Sequence, residues 1–122
     1  MGPILIVDDE FGLAESLRDL LRDEGYQVTV AFNGRQALDR MAEELPALVL
    51  LDYMMPSMNG PELLEVMKKD TRLSGVSVVM MSAAPPSFWK SLPCAAFLPK
   101  PFTLMQMLGV VHQFIGAPRE RP

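Results

Sequence analysis

Five short runs of almost entirely apolar residues restrict this chain to a small set of folds. Four of the runs are nearly continuous in apolar character, which is typical of parallel strands covered on both faces. The second run alternates between apolar and polar residues, which predicts a less buried strand nearer an edge of the sheet. The predicted strands are residues 3–7, 27–31, 47–51, 76–81 and 95–99.

Between these runs, leucines, methionines and alanines recur at the spacing of amphipathic helices. Gly25 follows the first helical pattern and marks its end. The predicted starts of the other helices are Asn33-Gly34 for the second, Asn59 or Gly60 for the third and Thr103 for the last. Strands that alternate with helices pair in parallel through right-handed crossovers, so the pattern predicts an α/β fold. A length of 122 residues with 49% apolar residues suits one domain with a substantial core.

One connection departs from this regularity. Residues 83–96 lie where a fourth crossover helix belongs, yet they contain Pro85, Pro86 and Pro93. Proline ends or prevents a helix, so about two helical turns are the most that fit there. We therefore predict a short or distorted helix, in which Phe88-Trp89 either packs on the body of the domain or fills a partner's pocket.

Charged and polar residues stand at the ends of four predicted strands. Asp8-Asp9 end the first strand, Asp52 the third, Ser82 the fourth and Lys100 the fifth. In open parallel sheets the carboxyl ends of the strands form the ligand site, so we expect these groups to meet at one edge. Each has a structural alternative, such as a helix cap for Asp8 or Asp9 and a turn role for Asp52. Their joint placement favours a functional site.

The chemistry of such a site follows from its charges. Three clustered carboxylates repel one another unless a cation lies among them, and hard oxygen ligands at a half-open site favour Mg²⁺, with Mn²⁺ as a substitute. Lys100 adds a positive charge of the kind that holds a phosphoryl group. A carboxylate beside these cations can act as a nucleophile and become an aspartyl phosphate. Asp52 is the best-placed candidate.

Composition excludes several other classes of function. The net charge is −4, which argues against direct binding to nucleic acid or to a membrane surface. The single cysteine, Cys94, allows no internal disulfide, and the single histidine, His112, lacks a second ligand of its type. No secretory signal precedes the first apolar run, and no run approaches membrane-spanning length. We therefore expect a cytoplasmic protein.

The motifs at the strand ends resemble those of the receiver domains of two-component response regulators. They read LIVDDE (5–10), LLDYMMPSMNG (50–60), MSA (81–83) and FLPKPF (97–102), and the resemblance covers about the whole chain. It implies a flavodoxin-like, doubly wound, five-stranded parallel sheet of strand order 2-1-3-4-5, with a shortened or irregular fourth helix. Residues 1–116 would form the receiver domain, and residues 117–122 a polar tail or the start of a linker.

The resemblance also implies roles for individual residues. Asp52 would be the phosphoacceptor, and the metal would be bound by Asp9 directly, by Asp8 mainly through water, by Asp52 and by the carbonyl of Met54. Ser82 and the Ala83 amide would bind phosphoryl oxygens, and Lys100 would pair with them. The Lys100-Pro101 peptide bond would be cis. Phosphorylation would draw Ser82 towards the phosphoryl group and let Phe97 turn inward, as a population shift between two packings.

Three functions compete on these residues. The leading hypothesis is a signalling receiver that takes a phosphoryl group from a histidine kinase or phosphotransfer protein. It would promote its own phosphorylation and dephosphorylation without being an enzyme in the usual sense, and its output domain or protein is not indicated. A phosphatase of similar topology would need an acid two residues after the nucleophile, where this chain has Met54. A phosphorylation-independent interaction module with the same fold is the remaining alternative.

Overall fold

The computed structural model describes residues 2–88 and 90–118, and within them it contains one five-stranded parallel sheet. The strand order is β2-β1-β3-β4-β5, which confirms the predicted topology. Each strand begins within one residue of its predicted start. β2 lies at an edge of the sheet, as its alternating pattern predicted. The strands are β1 (Ile4–Val7), β2 (Val28–Ala31), β3 (Leu48–Asp52), β4 (Ser77–Ser82) and β5 (Ala96–Pro99).

Four α-helices connect or follow the strands, and three of them begin at the predicted caps. The side chain of Asn33 accepts a hydrogen bond from the backbone N–H of Gln36 at the start of the second helix. Asn59 and Thr103 each form a reciprocal capping box with the residue three positions later. The helices are α1 (Phe11–Asp23), α2 (Gly34–Glu43), α3 (Gly60–Lys69) and α4 (Leu104–Ile115).

The sheet separates two apolar layers, because successive side chains of a strand point to opposite faces. Ile4 and Ile6 of β1 pack with α1 and α4 on one face, whereas Leu5 and Val7 pack with α2 and α3 on the other. All four side chains are buried. Covering on both faces explains why β1, β3 and β4 read as continuous apolar runs. The same expectation for β5 is wrong, because β5 lies at the other edge of the sheet and only Leu98 in it is fully buried. No helix among the described residues is both long and apolar enough to span a membrane.

The connection between β4 and β5 confirms the prediction of a shortened helix. Residues 83–88 and 90–95 contain a single 3₁₀ turn, Pro86–Phe88, and no α-helix. Leu92 and Cys94 are half-buried against the α2/α3 layer, and burial raises the pKa of the Cys94 thiol. Of the two alternatives for the Phe88-Trp89 pair, packing on the body of the domain is not observed for Phe88, which is 62% exposed. Trp89 lies outside the described residues.

The chain after α4 folds back onto the turn between α1 and β2. Gly116 has a φ of 74°, in the left-handed region that favours glycine. The hydroxyl of Tyr26 donates a hydrogen bond of 2.7 Å to the carbonyl of Gly116. The start of the predicted tail, residues 117–118, is thus held close to the domain, and residues 119–122 lie outside the described part of the chain.

We expect Tyr26→Phe to lower the free energy of unfolding by about 1 kcal/mol, because this is the usual net contribution of one partly buried hydrogen bond to stability. The ring and its packing are retained, so the change isolates the bond to Gly116. Urea unfolding followed by circular dichroism measures the effect. Tyr53→Phe is the matched control, because the Tyr53 hydroxyl makes only an exposed 3.3 Å bond to the Phe88 carbonyl. Equal losses in the two variants would contradict the assignment.

Candidate functional site

Backbone pairing brings four of the predicted site residues to one edge of the sheet. Asp8 follows β1 directly, Asp52 and Ser82 are the last residues of β3 and β4, and Lys100 follows β5. The Lys100 N–H donates a hydrogen bond to the Ser82 carbonyl, and the Asp8 N–H donates one to the Ala31 carbonyl. The parallel ladder therefore fixes the positions of these side chains, as the sequence predicted from strand ends alone.

Asp8 belongs to the charged site and is not the cap of α1, whose N-cap residue is Glu10. One carboxylate oxygen, Oδ1, accepts a 2.9 Å hydrogen bond from the backbone N–H of Glu10, at the start of α1. The other, Oδ2, lies 3.4 Å from the ammonium nitrogen of Lys100. Asp8 is fully buried, so it needs both partners. The same side chain accepts a hydrogen bond from the backbone just before α1 and belongs to the charged site.

Lys100 is shared by two carboxylates. Its Nζ lies 3.3 Å from Asp52 Oδ1 as well as 3.4 Å from Asp8 Oδ2. Burial alone lowers the pKa of Lys100, but attraction to Asp52 and Asp8 outweighs it, so the pKa is raised and the ammonium stays charged. The Lys100-Pro101 peptide bond is cis, the isomer that the family resemblance implies.

Asp52 is the carboxylate with the strongest perturbation. Burial is the main cause, and repulsion from Asp8 adds to it, so the pKa of Asp52 is raised from 3.8 to about 6. Lys100 and a backbone hydrogen bond from Met54 act in the opposite direction without cancelling the effect. The residue is only 7% exposed. Without a further cation, the site therefore disfavours the ionised form of Asp52.

The three carboxylates fit a divalent cation. Oxygen atoms of Asp8, Asp9 and Asp52 all lie within 4.8 Å of one another. Lys100 is the ammonium within ion-pair distance of two of them, so three negative charges face one positive charge. Asp9 is exposed and forms the open side of the cluster. Oxygen ligands, excess negative charge and solvent access together match the preferences of Mg²⁺.

Ser82 ends β4 and Ala83 follows it, Met54 lies two residues after β3, and Phe97 lies within β5. Ser82 is buried, and its Oγ accepts a 2.9 Å hydrogen bond from the N–H of Ala84, while Ala83 is exposed. The side chain of Met54 is exposed. Phe97 is half-buried in β5 and packs against the α2/α3 layer, opposite Met80 of β4.

Sequence reasoning missed three features of this edge. The N–H of Glu10 orients Asp8, and the backbone of Met54, considered only as a carbonyl ligand, donates to Asp52. Phe11, which is largely exposed, stacks on Phe32 with ring centroids 4.2 Å apart. The sequence contains one sign of this stacking, since an aromatic residue closely follows each of the first two strands.

The fold and the acidic edge together define an α/β domain of the flavodoxin-like class, with its functional groups at the carboxyl ends of the strands. The chain belongs to the response regulator receiver domain family, whose sequence pattern matches residues 4–112. It is thus a receiver domain of the kind found in two-component response regulators, which are phosphoacceptor regulators and not conventional enzymes.

Individual relatives agree with this family. Response regulator Rre1 of Synechocystis sp. is 34% identical over 118 residues, covering 93% of this chain and 51% of the relative. Sporulation initiation phosphotransferase F of Bacillus subtilis is 45% identical over 80 residues, covering 66% and 63% of the two chains. The chain therefore spans less than two thirds of each of these relatives.

Solved structures show the same architecture. Response regulator protein TrrA of Thermotoga maritima, solved in complex with Mg²⁺ and BeF, superimposes with a TM-score of 0.83 at 28% identity. The superposition covers 94% of this chain and 100% of TrrA. The similarity therefore extends over nearly all of this chain.

Proposed function

We propose that this domain accepts a phosphoryl group on Asp52 from a histidine kinase or a histidine phosphotransfer protein. The observation that carries the proposal is the placement of the Asp52 carboxylate, 3.3 Å from the Lys100 ammonium and within 4.8 Å of the oxygens of Asp8 and Asp9. In this proposal Asp52 is the nucleophile, and the Lys100 ammonium and the acidic pair Asp8-Asp9 surround it. The edge of the sheet is open to a phosphoryl donor.

In the proposed reaction, an Asp52 oxygen attacks the phosphorus of a phosphohistidine, the P–N bond breaks and the imidazole leaves. Lys100 pairs with a phosphoryl oxygen as the charge on Asp52 is replaced by that of the phosphoryl group. Ser82 and the Ala83 amide bind further phosphoryl oxygens. Support for these roles comes from the position of both residues at the end of β4, beside Lys100.

Asp9 and Asp52 would hold Mg²⁺ or Mn²⁺ directly, together with the Met54 carbonyl, and Asp8 would act mainly through water. When bound, the ion offsets the repulsion between the carboxylates and the incoming phosphoryl group. Asp8 suits an indirect role because its two oxygens already face the Glu10 N–H and Lys100. The Met54 ligand rests on the family resemblance.

Phosphorylation would reach the surface through Ser82 and Phe97. A shift of Ser82 towards the phosphoryl group alters the bond from the Ala84 N–H, at the start of the short β4–β5 connection. Phe97 lies on the strand that ends this connection and would turn inward as the segment moves. The two packings form a switch whose populations the new charge shifts.

The wider setting of the domain follows from the family. We infer that it promotes its own phosphorylation and dephosphorylation, works in the cytoplasm and passes its signal to an output domain or protein. We place the end of the domain at residue 116, whose carbonyl accepts the hydrogen bond from the Tyr26 hydroxyl. A phosphorylation-independent interaction module is the second candidate, favoured by the single 3₁₀ turn where a longer helix is expected.

Incubation with acetyl phosphate and Mg²⁺, followed by intact mass spectrometry, tests the proposal. A lasting adduct of one phosphate on the chain supports the receiver. An unchanged mass under conditions that label a known receiver would support the interaction module, and steady release of inorganic phosphate without an adduct would indicate a phosphatase.

Metal binding gives a second test. We expect Asp9→Ala to weaken Mg²⁺ binding at least about tenfold, the usual loss for a damaged metal site, and Asp8→Ala to weaken it less. The ranking follows because the Asp9 carboxylate is exposed at the open side of the cluster, whereas Asp8 is engaged with Lys100. Calorimetric titration of both variants measures the affinities. Equal losses, or a larger loss in Asp8→Ala, would overturn the ranking.

A further inference from the structure

A cavity of about 440 Å³ opens between α1 and the start of α4. Leu13, Leu17 and Leu20 of α1 follow one another at helical spacing and form one of its walls. This wall is about 10 Å long by the rise of the helix. The facing wall belongs to the segment between β5 and α4 and to α4 itself. Its apolar residues are Pro101, Phe102, Leu104 and Met107.

The fold holds these walls in place. Leu17 and Met107 are buried in the same apolar layer, and Leu13 and Phe102 are partly buried against it. Thr103 fixes the start of α4 through its capping box. The cavity is therefore formed by elements that are ordered within the domain itself. Its volume falls in the range of small-molecule sites, which is about 300–1,000 Å³.

Charge indicates which class of molecule suits the cavity. Among the described residues that line it, Lys100 is the only charged one, and Ser16 supplies the only hydroxyl. The Lys100 ammonium is engaged by carboxylate oxygens of Asp52 and Asp8, at 3.3 and 3.4 Å. An anion would meet the excess negative charge of the acidic site, whereas a cation would lose hydration without a carboxylate in the wall. The walls therefore favour an uncharged molecule.

We propose that this cavity binds an uncharged, largely apolar small molecule of the size of two fused rings, with one hydroxyl or N–H group that reaches Ser16. Burial of the ligand's apolar surface between α1 and α4 drives binding. A ligand about 10 Å long occupies the wall from Leu13 to Leu20. Ala83 and Lys100 line the part of the cavity nearest the acidic edge of the sheet. The domain thus has a ligand site beside its acidic site, and binding there requires no phosphoryl transfer.

Fluorescence anisotropy of 2-naphthol, titrated with the full chain in a chelating buffer at neutral pH, tests the site. This probe is uncharged, has two fused rings and carries one hydroxyl. We expect a dissociation constant on the order of 100 µM, as for a small apolar ligand with few atoms to bury. The anion 2-naphthoate has the same rings, but it should bind at least about tenfold more weakly because of the carboxylates near Lys100.

Two variants locate the probe. Leu20→Lys should raise the dissociation constant of 2-naphthol at least about fivefold, because it removes apolar wall and adds a charge at the rim. Leu45→Lys is the matched control and should leave binding unchanged, since Leu45 is 42% exposed, close to the 38% of Leu20, but lies after α2. Ser16→Phe, at an exposed position of α1, should weaken binding at least as much as Leu20→Lys because the added ring fills the opening. Circular dichroism checks the fold of each variant.

Several results would overturn the proposal. One is the absence of 2-naphthol binding at about 1 mM protein, well above the expected dissociation constant. Equal losses in Leu20→Lys and Leu45→Lys would place the probe elsewhere on the chain, and equal affinities for 2-naphthol and 2-naphthoate would contradict the charge argument. If 2-naphthol does not bind while Leu20→Lys slows phosphoryl transfer from a histidine-containing donor, the cavity receives a docked protein instead of a small molecule.

Discussion

Asp52→Asn is expected to abolish phosphorylation while leaving the fold intact. The amide is nearly the same size as the carboxylate, so the packing at the end of β3 is retained, but it is a poor nucleophile towards phosphorus. Incubation with acetyl phosphate and Mg²⁺ should therefore give an adduct of one phosphate with the unmodified chain and none with the variant. Intact mass spectrometry measures both, and circular dichroism checks the fold.

Asp39→Asn is the control for this experiment. Asp39 is an exposed carboxylate on α2 that pairs with Arg35, away from Lys100 and the other acids of the site. Its loss should leave labelling unchanged, which excludes a general effect of removing one negative charge. Phosphate found on the Asp52→Asn variant at full yield would place the phosphoacceptor elsewhere and overturn the assignment.

The parts of the fold that depend on local signals were predictable from the sequence. The strands begin within one residue of their predicted starts because each one coincides with a short apolar run bounded by polar or turn residues. Asn33, Asn59 and Thr103 mark helix starts because a short polar side chain there satisfies an unpaired backbone N–H. The convergence of Asp8, Asp52, Ser82 and Lys100 was also predictable, since parallel strands bring their carboxyl ends to one edge.

Features that depend on three-dimensional distances were not predictable. The sharing of Lys100 between Asp8 and Asp52 requires the relative positions of three strand ends. The raised pKa of Asp52 depends on the depth of its burial, which strand order alone does not give. Prolines predicted a shortened β4–β5 connection, but the exposure of Phe88 depends on how that connection leaves the sheet.

The raised pKa of Asp52 has a consequence for stability in the absence of divalent ions. A folded-state pKa of about 6 lies above the unfolded value of 3.8, so the native state binds this proton more tightly. The contribution of Asp52 to stability is therefore fully present below about pH 4 and is lost as the pH rises through about 6. Above that range the ionised carboxylate destabilises the fold.

We therefore expect Asp52→Asn to stabilise the metal-free domain at about pH 8 by on the order of 2 kcal/mol, after allowance for solvent screening on the open side of the site. At about pH 4 most of the gain should be lost, because Asp52 is then protonated in the folded state and partly protonated in the unfolded state. Urea unfolding in a chelating buffer at several pH values measures the difference between the two proteins. Added Mg²⁺ should reduce the advantage of the variant at high pH, since bound cation relieves the repulsion that the substitution removes. A gain that is constant between about pH 4 and pH 8, or a loss at high pH, would mean that Lys100 already balances the charge of Asp52 in the folded domain.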